Sequence, residues 1–423
     1  METEKQRGTS YPRTPIRSRA NGTCLYRIGP LRLGDRSLMI VKAYISRSNL
    51  RHNASLIKKI IGPSVALCAV VKANGYGHNA RDIVATLNVP QETDEENVRP
   101  DYASSFAVFN IEEAEQIHPL VSMKTILVIS PLFAGLDREL IELAQARRFH
   151  CTVASGAAIE YLEKTLNPKA DKLNVHLKID TGMGRVGCRP EEATALLDTI
   201  RKSCRLQLTG IYTHFATADE ADPTFTEHQL STFEKFLARN GLKERDDIIK
   251  HAANTSAALK YPAARFDMVR CGIGLYGYTN IEGEAHPQCD FKPVLRVEAP
   301  VIQVKTIAAG QSCGYGRTFF AQRDTTVGIV PVGYADGLFR QFSNRACMRC
   351  GNIDLPILGR VSMDMTIVDL SNLPDPHEGM TVTVLDDKPD SPCNAQALAE
   401  CAGTIPYEIL TAFGNRIERV LSE

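Results

Sequence analysis

Apolar residues in the first two thirds of the chain fall in short unbroken runs. These are VALCAVV (65–71), FAVF (106–109), TILVIS (125–130), CTVA (151–154), NVHLKI (174–179), LTGIYT (208–213), DIIKHA (247–252) and DMVRC (267–271). Continuous runs of this length suit strands buried on both faces, as in a parallel sheet covered by helices. Between them the pattern turns helical, as in IEEAEQI (111–117) and the stretch Glu191–Ile200. Eight strands with helical crossovers predict an α/β fold, a (β/α)8 TIM barrel.

Beyond residue 290 the pattern changes. VLRVEAPVIQVKTI, TTVGIVPVGY, LPILGRV, MTIVDL and MTVTVLDD are β-branched, alternating and separated by Gly, Pro and Asp. They predict a mostly antiparallel β domain over 291–423, following a barrel over 37–290. The strand SLMIVKAYI (37–45) is open to pairing with either domain. Residues 1–36 carry several arginines but no apolar stretch of the secretory kind, and Glu2 and Glu4 count against a transit peptide. They read as a disordered N-terminal extension.

Composition narrows the function classes. Hydrophobic residues make up 43% and charged residues 23% of 423, enough for a large core. Lys+Arg and Asp+Glu balance at 49 each, so no global field favours nucleic acid or an anionic membrane surface. No apolar run reaches the ~18 residues needed to span a bilayer. The twelve cysteines follow no framework and read as free thiols of a cytoplasmic protein. Cys347 and Cys350 form a lone C-x-x-C without a second pair, so no metal site is expected.

The candidate chemistry begins at Lys72, where the first barrel run ends. A lysine at the C-terminal mouth of a barrel strand is partly desolvated, which lowers its pKa and favours imine formation with an aldehyde. The same position also suits a lysine that merely snorkels to water. Arg185, in the glycine-rich turn DTGMGR, offers a planar fork for a phenolate or carboxylate. His214 ends the sixth strand in GIYTHFATAD, where a lone histidine is commonly structural. HAANTSAAL (251–259) and MVRCGIGLYGY (268–278) surround the last two strands, where barrels often bind phosphate. There the Thr255 hydroxyl and the N–H groups of Gly272 and Ile273 can form an anion nest. Arg270 alone would read as a strand-end ion pair, and Tyr334 as a surface tyrosine before the turn Ala-Asp-Gly.

Together these segments resemble the alanine racemase family. AVVKANGYGH (69–78) resembles its pyridoxal 5'-phosphate lysine signature, and the resemblance extends over roughly 37–420. It implies that Lys72 bonds covalently to pyridoxal 5'-phosphate and acts as one of two acid/base groups. The phosphate falls to Tyr76, Asn254, Thr255, Gly272, Ile273 and Tyr407, the last within IPYEILTAFGNR (405–416). The family more often has Ser at the Thr255 position, and Ser256 is adjacent. Arg185 is implied to bind the phenolic oxygen and the substrate carboxylate, with Lys178 as a neighbour that the resemblance implies is carbamylated. Arg270 is implied to face the pyridine nitrogen, helped by His214. Arginine does not lose its proton, so that nitrogen only accepts, which favours racemisation over transamination.

VGIVPVGYADGLFR (327–340) matches the family's second acid/base motif, so Tyr334 is implied to face Lys72 across the substrate from the partner subunit of a homodimer. Its pKa would then have to fall below the usual ~10. GRVSMDMTIVDL (359–370) resembles the substrate-carboxylate loop, with Met363 and Asp364 lining the same wall. The expected reaction interconverts L- and D-alanine, with serine the alternative, and its product would feed cell-wall peptidoglycan. Related barrel decarboxylases and lyases lack the Arg270 and Tyr334 pairing, and single-domain cofactor carriers lack the β domain. NRACMRCGN (344–352) has Cys where many relatives have an aromatic near the substrate channel, which suggests a wider entrance.

Overall fold

The computed structural model describes residues 41–89, 102–121, 124–282 and 289–423. The extension over 1–36 and the first residues of the 37–45 strand lie outside the described residues.

Eight parallel strands form one sheet. They are β2 (Ala66–Val70), β3 (Ser105–Val108), β4 (Thr125–Pro131), β5 (His150–Val153), β6 (Leu173–Lys178), β7 (Leu206–Tyr212), β8 (Ile249–His251) and β9 (Met268–Cys271). Their order is β8-β7-β6-β5-β4-β3-β2-β9. The two ends of that order meet. Asp267 N donates to Lys250 O at 3.1 Å and Arg270 N to Ala253 O at 2.9 Å, so the sheet curls into a nearly closed barrel. Each of the eight predicted apolar runs lies on one of these strands, with ends differing by a residue or two. Burial on both faces is what made them readable.

Helices follow the strands as the period change predicts. Ile111–Ile117 is capped by Asn110, whose side chain accepts from Glu113 N, and Pro190–Lys202 begins with proline, whose missing N–H costs nothing there. Arg47–Ile61, ahead of the barrel, buries Leu50, Asn53, Ala54, Ile57 and Ile61 on one stripe. The buried Asn53 is fully used: its amide donates to Leu275 O and Lys292 O and accepts from Lys292 N. A buried polar group without such partners would destabilise the fold.

A second, mostly antiparallel structure follows. β1 (Lys42–Ser46) leaves the barrel and enters a six-stranded sheet with β10 (Leu295–Pro300), β15 (Cys347–Cys350), β16 (Ile353–Pro356), β18 (Thr381–Leu385) and β19 (Glu418–Ser422), in the order β16-β15-β18-β10-β1-β19. β1 is antiparallel to β10 and parallel to β19, with Lys42 opposite Glu418 and Ser46 opposite Ser422. β11 (Gln303–Ile307), β14 (Thr325–Val330) and β17 (Thr366–Asp369) make a three-stranded antiparallel sheet. β12 (Ser312–Cys313) and β13 (Phe319–Phe320) form a short hairpin. The run 294–307 holds two strands: Pro300 cannot donate to a ladder and the chain changes sheets there. Among the described residues no helix is long and apolar enough to cross a membrane.

Candidate active site

Lys72 lies two residues past the end of β2, and the backbone after it turns the wrong way for L-residues. Ala73, Asn74, Gly75, Tyr76 and Gly77 have φ of 52, 51, 66, 53 and 83°. Each non-glycine residue in this left-handed region costs about 1–2 kcal/mol, so the turn persists only because other groups hold it. The Glu113 carboxylate accepts from Ala73 N at 2.8 Å and from Phe109 N at 2.7 Å, tying the turn to the end of β3. Asn74 Oδ1 accepts from Ala80 N at 2.9 Å. Arg419, on the last strand, donates to Gly77 O at 3.0 Å and also reaches Phe413 O, Gly414 O and Ile417 O. A Cβ on Gly77 would collide with Leu410 O, so glycine is required there by contact as well as by φ.

The turn presents Lys72 and Tyr76 to a cavity of about 180 Å³ at the C-terminal end of the barrel strands. Among the described residues four cations line it, Lys72, Lys178, Arg185 and Arg270, and no carboxylate does. The lysines respond. Burial, then Arg185, lowers the Lys72 pKa, with Glu113 opposing the shift. Burial, then Arg270 and Arg185, lowers Lys178 to about 8. Lys178 lies 95% buried with its amine over the Tyr212 ring, 5.4 Å from the centroid. Such a site is matched to an anionic ligand.

At the other end the wall is built for oxygen atoms. Thr255 Oγ1 accepts from Gly272 N at 3.2 Å and Gly274 N at 3.4 Å, with Tyr76, Ile273 and Tyr407 beside it. The rings of Tyr76 and Tyr407 are 5.9 Å apart, and burial raises both phenols' pKa values, so both stay protonated donors. A Cβ on Gly272 would strike the Tyr76 hydroxyl, so the glycine keeps this cradle open. Thr255 is on the cavity wall and Ser256 is not. Asn254 also lines the cavity, its side chain accepting from Ala257 N. These residues fit the phosphate of pyridoxal 5'-phosphate.

Arg270 is buried in the middle, with no counter-ion among the described residues. Its guanidinium donates to Thr213 O at 2.8 Å, Ala252 O at 3.0 Å and His251 Nδ1 at 2.7 Å, with His214 Nδ1 at 3.4 Å. It stacks 5.0 Å from the centroid of Tyr212. Burial, then Arg270, holds the His214 and His251 pKa values well below the usual imidazole range, so both rings are neutral. Arg185 is placed by the loop that carries it. Asp180 accepts from Gly182 N, Gly184 N and Arg185 N at 3.0, 3.1 and 3.2 Å. Burial acts against the Asp180 charge, but these N–H groups outweigh it and lower its pKa.

Three predicted residues are elsewhere. Tyr334, Met363 and Asp364 do not line the cavity, and Tyr334 and Met363 are 45% and 53% exposed. They form one surface: Tyr334 N donates to Ser362 O and Ala335 N to Met363 O, both at 3.0 Å. Asp336 accepts from Gly333 N within this turn, and Arg416 bridges Asp336 and Asp364. The Cys347–Cys350 segment forms β15, hydrogen-bonded to β16 and β18, and neither cysteine lines the cavity. Tyr212, His251 and Glu113 were not singled out from the sequence. The strand-end position of His251 is the only local signal any of them offered.

A family model described as alanine racemase, N-terminal domain, matches residues 45–280, and one described as alanine racemase, C-terminal domain, matches 294–421. The chain is 38% identical over 387 residues to the curated alanine racemase of Chlorobaculum tepidum, covering 90% of this chain and 95% of that protein. It is 36% identical over 391 residues to that of Treponema pallidum, covering 90% and 98%. Among solved structures it is similar to the biosynthetic alanine racemase from Pseudomonas aeruginosa, with TM-score 0.78 and 33% identity over 90% of this chain and 99% of that one. It is also similar to the alanine racemase from Streptomyces coelicolor A3(2), with TM-score 0.81 and 30% identity over 91% and 99%.

The neutral histidines set an acid limit on stability. Burial lowers His78 and His150 to about 4, and His176 and His251 well below the usual range. In the unfolded chain these rings protonate near ~6.5, so below that pH the unfolded state binds more protons. Their contribution is complete above pH ~6.5 and is lost progressively as pH falls toward 4. Urea unfolding midpoints should therefore drop between pH 7 and pH 5; equal midpoints would mean that the rings are already charged in the folded protein.

Proposed function

The chain belongs to the alanine racemase family, and we propose that it interconverts L- and D-alanine with Lys72 and Tyr334 as the two proton carriers. The observation that carries this reading is the Lys72 cavity: a partly desolvated amine among cations, with an oxygen-binding cradle at its far end. The family is generally dependent on pyridoxal 5'-phosphate. When bound, that group supplies an aldehyde that captures an amine and a conjugated ring that draws electrons from the α-carbon.

The chain's own residues divide the remaining work. Lys72 holds the cofactor covalently, and Tyr76, Asn254, Thr255, Gly272, Ile273 and Tyr407 receive its phosphate. Arg270 donates toward the ring nitrogen but surrenders no proton. Arg185 is assigned the phenolic oxygen and the substrate carboxylate. With its pKa lowered by burial and Arg185, the Lys72 amine is more readily neutral and able to take a proton from one face of the α-carbon. A second group must serve the opposite face, and Tyr334 is assigned that role. Because Tyr334, Met363 and Asp364 form an exposed patch outside their own chain's cavity, the second group belongs to Tyr334 of the partner subunit in a homodimer. The neighbouring exposed side chains of Tyr315 and Met365 support a covered surface here.

Lys178 is proposed to carry a carbamate. Its amine, with its pKa lowered to about 8, adds to carbon dioxide and loses a proton, giving an anion against Arg185. A cytoplasmic location and supply of D-alanine to cell-wall peptides are proposed from the free thiols and the family resemblance.

Purified protein loaded with cofactor should convert L-alanine to D-alanine faster than it converts L-serine. Lys72→Ala and Tyr334→Phe should each be inactive alone. Mixed, unfolded and refolded together, they should recover about a quarter of wild-type activity, because half the dimers then carry one intact site. No recovery, with mixed dimers demonstrated, would remove the shared-site assignment. Protein equilibrated with ¹³C-bicarbonate should show a carbamate carbon resonance that is missing in Lys178→Ala; identical spectra would dismiss the modification.

A further inference from the structure

Three histidines cross the barrel interior in contact with one another. His150, the first residue of β5, approaches His176 on β6, Nδ1 to Nε2, at 3.0 Å. His176 Nδ1 lies 2.9 Å from His251 Nε2 at the end of β8, and His251 Nδ1 lies 2.7 Å from an Arg270 amine. β7 lies between β6 and β8, and it has glycine where the string passes. Gly210 is paired with His176, and a Cβ there would overlap the imidazole ring. Side chains of alternate strands share a layer in such barrels, so this glycine is what lets His176 reach His251.

The direction of the string follows from its last member. Arginine only donates, so His251 Nδ1 must accept and its proton sits on Nε2. That proton points at His176 Nδ1, which must accept in turn, placing the next proton on His176 Nε2. This proton points at His150 Nδ1, whose other neighbour, the Thr209 hydroxyl at 3.1 Å, is also able to donate. The reverse arrangement would set an imidazole N–H against an arginine N–H at 2.7 Å. All three rings therefore hold their proton on Nε2, and their three dipoles point their negative ends at Arg270. Hydrogen bonds aligned head to tail strengthen one another.

We propose that His150 and His176 are positioning residues which, through His251, hold the Arg270 guanidinium in place as an undiminished cation. Among the described residues every hydrogen-bond acceptor of that guanidinium is neutral: two carbonyls and two imidazoles. A carboxylate would anchor it equally well but would cancel its charge. The string anchors it and leaves the charge facing the cavity. This rests on the reading above that Arg270 faces the cofactor ring.

Neutron diffraction from deuterated crystals locates the ring protons directly. Deuterium is expected on Nε2 and absent from Nδ1 in His150, His176 and His251; deuterium on Nδ1 of His176 or His251 overturns the proposal. In solution His176→Leu should lower kcat for L-alanine about tenfold or more at full cofactor occupancy, with KM little changed. His176→Gln keeps one acceptor and one donor at similar separation and should recover most of the loss. Equal impairment of the two variants would reduce His176 to a packing residue and overturn the proposal. Should His176→Leu fail to fold, the neutron map and the ratio of His176→Gln to wild type decide the matter. D-alanine formation by the wild type tests the underlying activity separately.

Discussion

Among the described residues four basic side chains share one cavity with no carboxylate on its walls, and the surrounding structure is arranged to make that tolerable. Burial in low dielectric penalises each charge, and proximity penalises each pair. The two lysines respond by lowered pKa values, which turns an electrostatic cost into chemical reactivity. The arginines have no such escape. Arg270 is solvated instead by carbonyls and neutral imidazoles, and Arg185 sits on a loop held by Asp180 through backbone contacts. An anionic ligand would complete the balance, and its binding would then be linked to folding stability.

The same site concentrates backbone strain. Five consecutive positive-φ residues follow Lys72, three of them non-glycine. A turn of this kind does not arise from local preference. It is held by Glu113 from the barrel, by Arg419 from the last strand and by contact of Gly77 with Leu410. The turn that carries Lys72 is thus held by residues distant from it in sequence.

The fold was legible because its main signal is local. Buried parallel strands leave continuous apolar runs, and exposed-face strands leave alternation. The ten cofactor-binding residues singled out from the sequence all line one cavity, because strand ends in a barrel converge. The left-handed turn was not legible: Asn74 and Gly75 signal a turn but not its hand or what holds it. The imidazole string was hidden for a different reason. His150, His176 and His251 come from three strands, and their contact depends on Gly210 in a fourth. Nothing in the spacing of histidines along the chain records that vacancy. Tyr334, Met363 and Asp364 were found by motif, while their place on the surface depends on β-domain turns that pack against one another.

The pairing of β1 with β19, and the reach of Arg419 back to Gly77, carry a consequence for biosynthesis. The barrel strands leave the ribosome first and are able to collapse as they emerge. The turn bearing Lys72 waits for an arginine translated almost 350 codons later. A nascent chain thus carries the Lys72 turn before its Arg419 clasp exists, and a product released short of β19 would have a barrel whose left-handed turn lacks that hold.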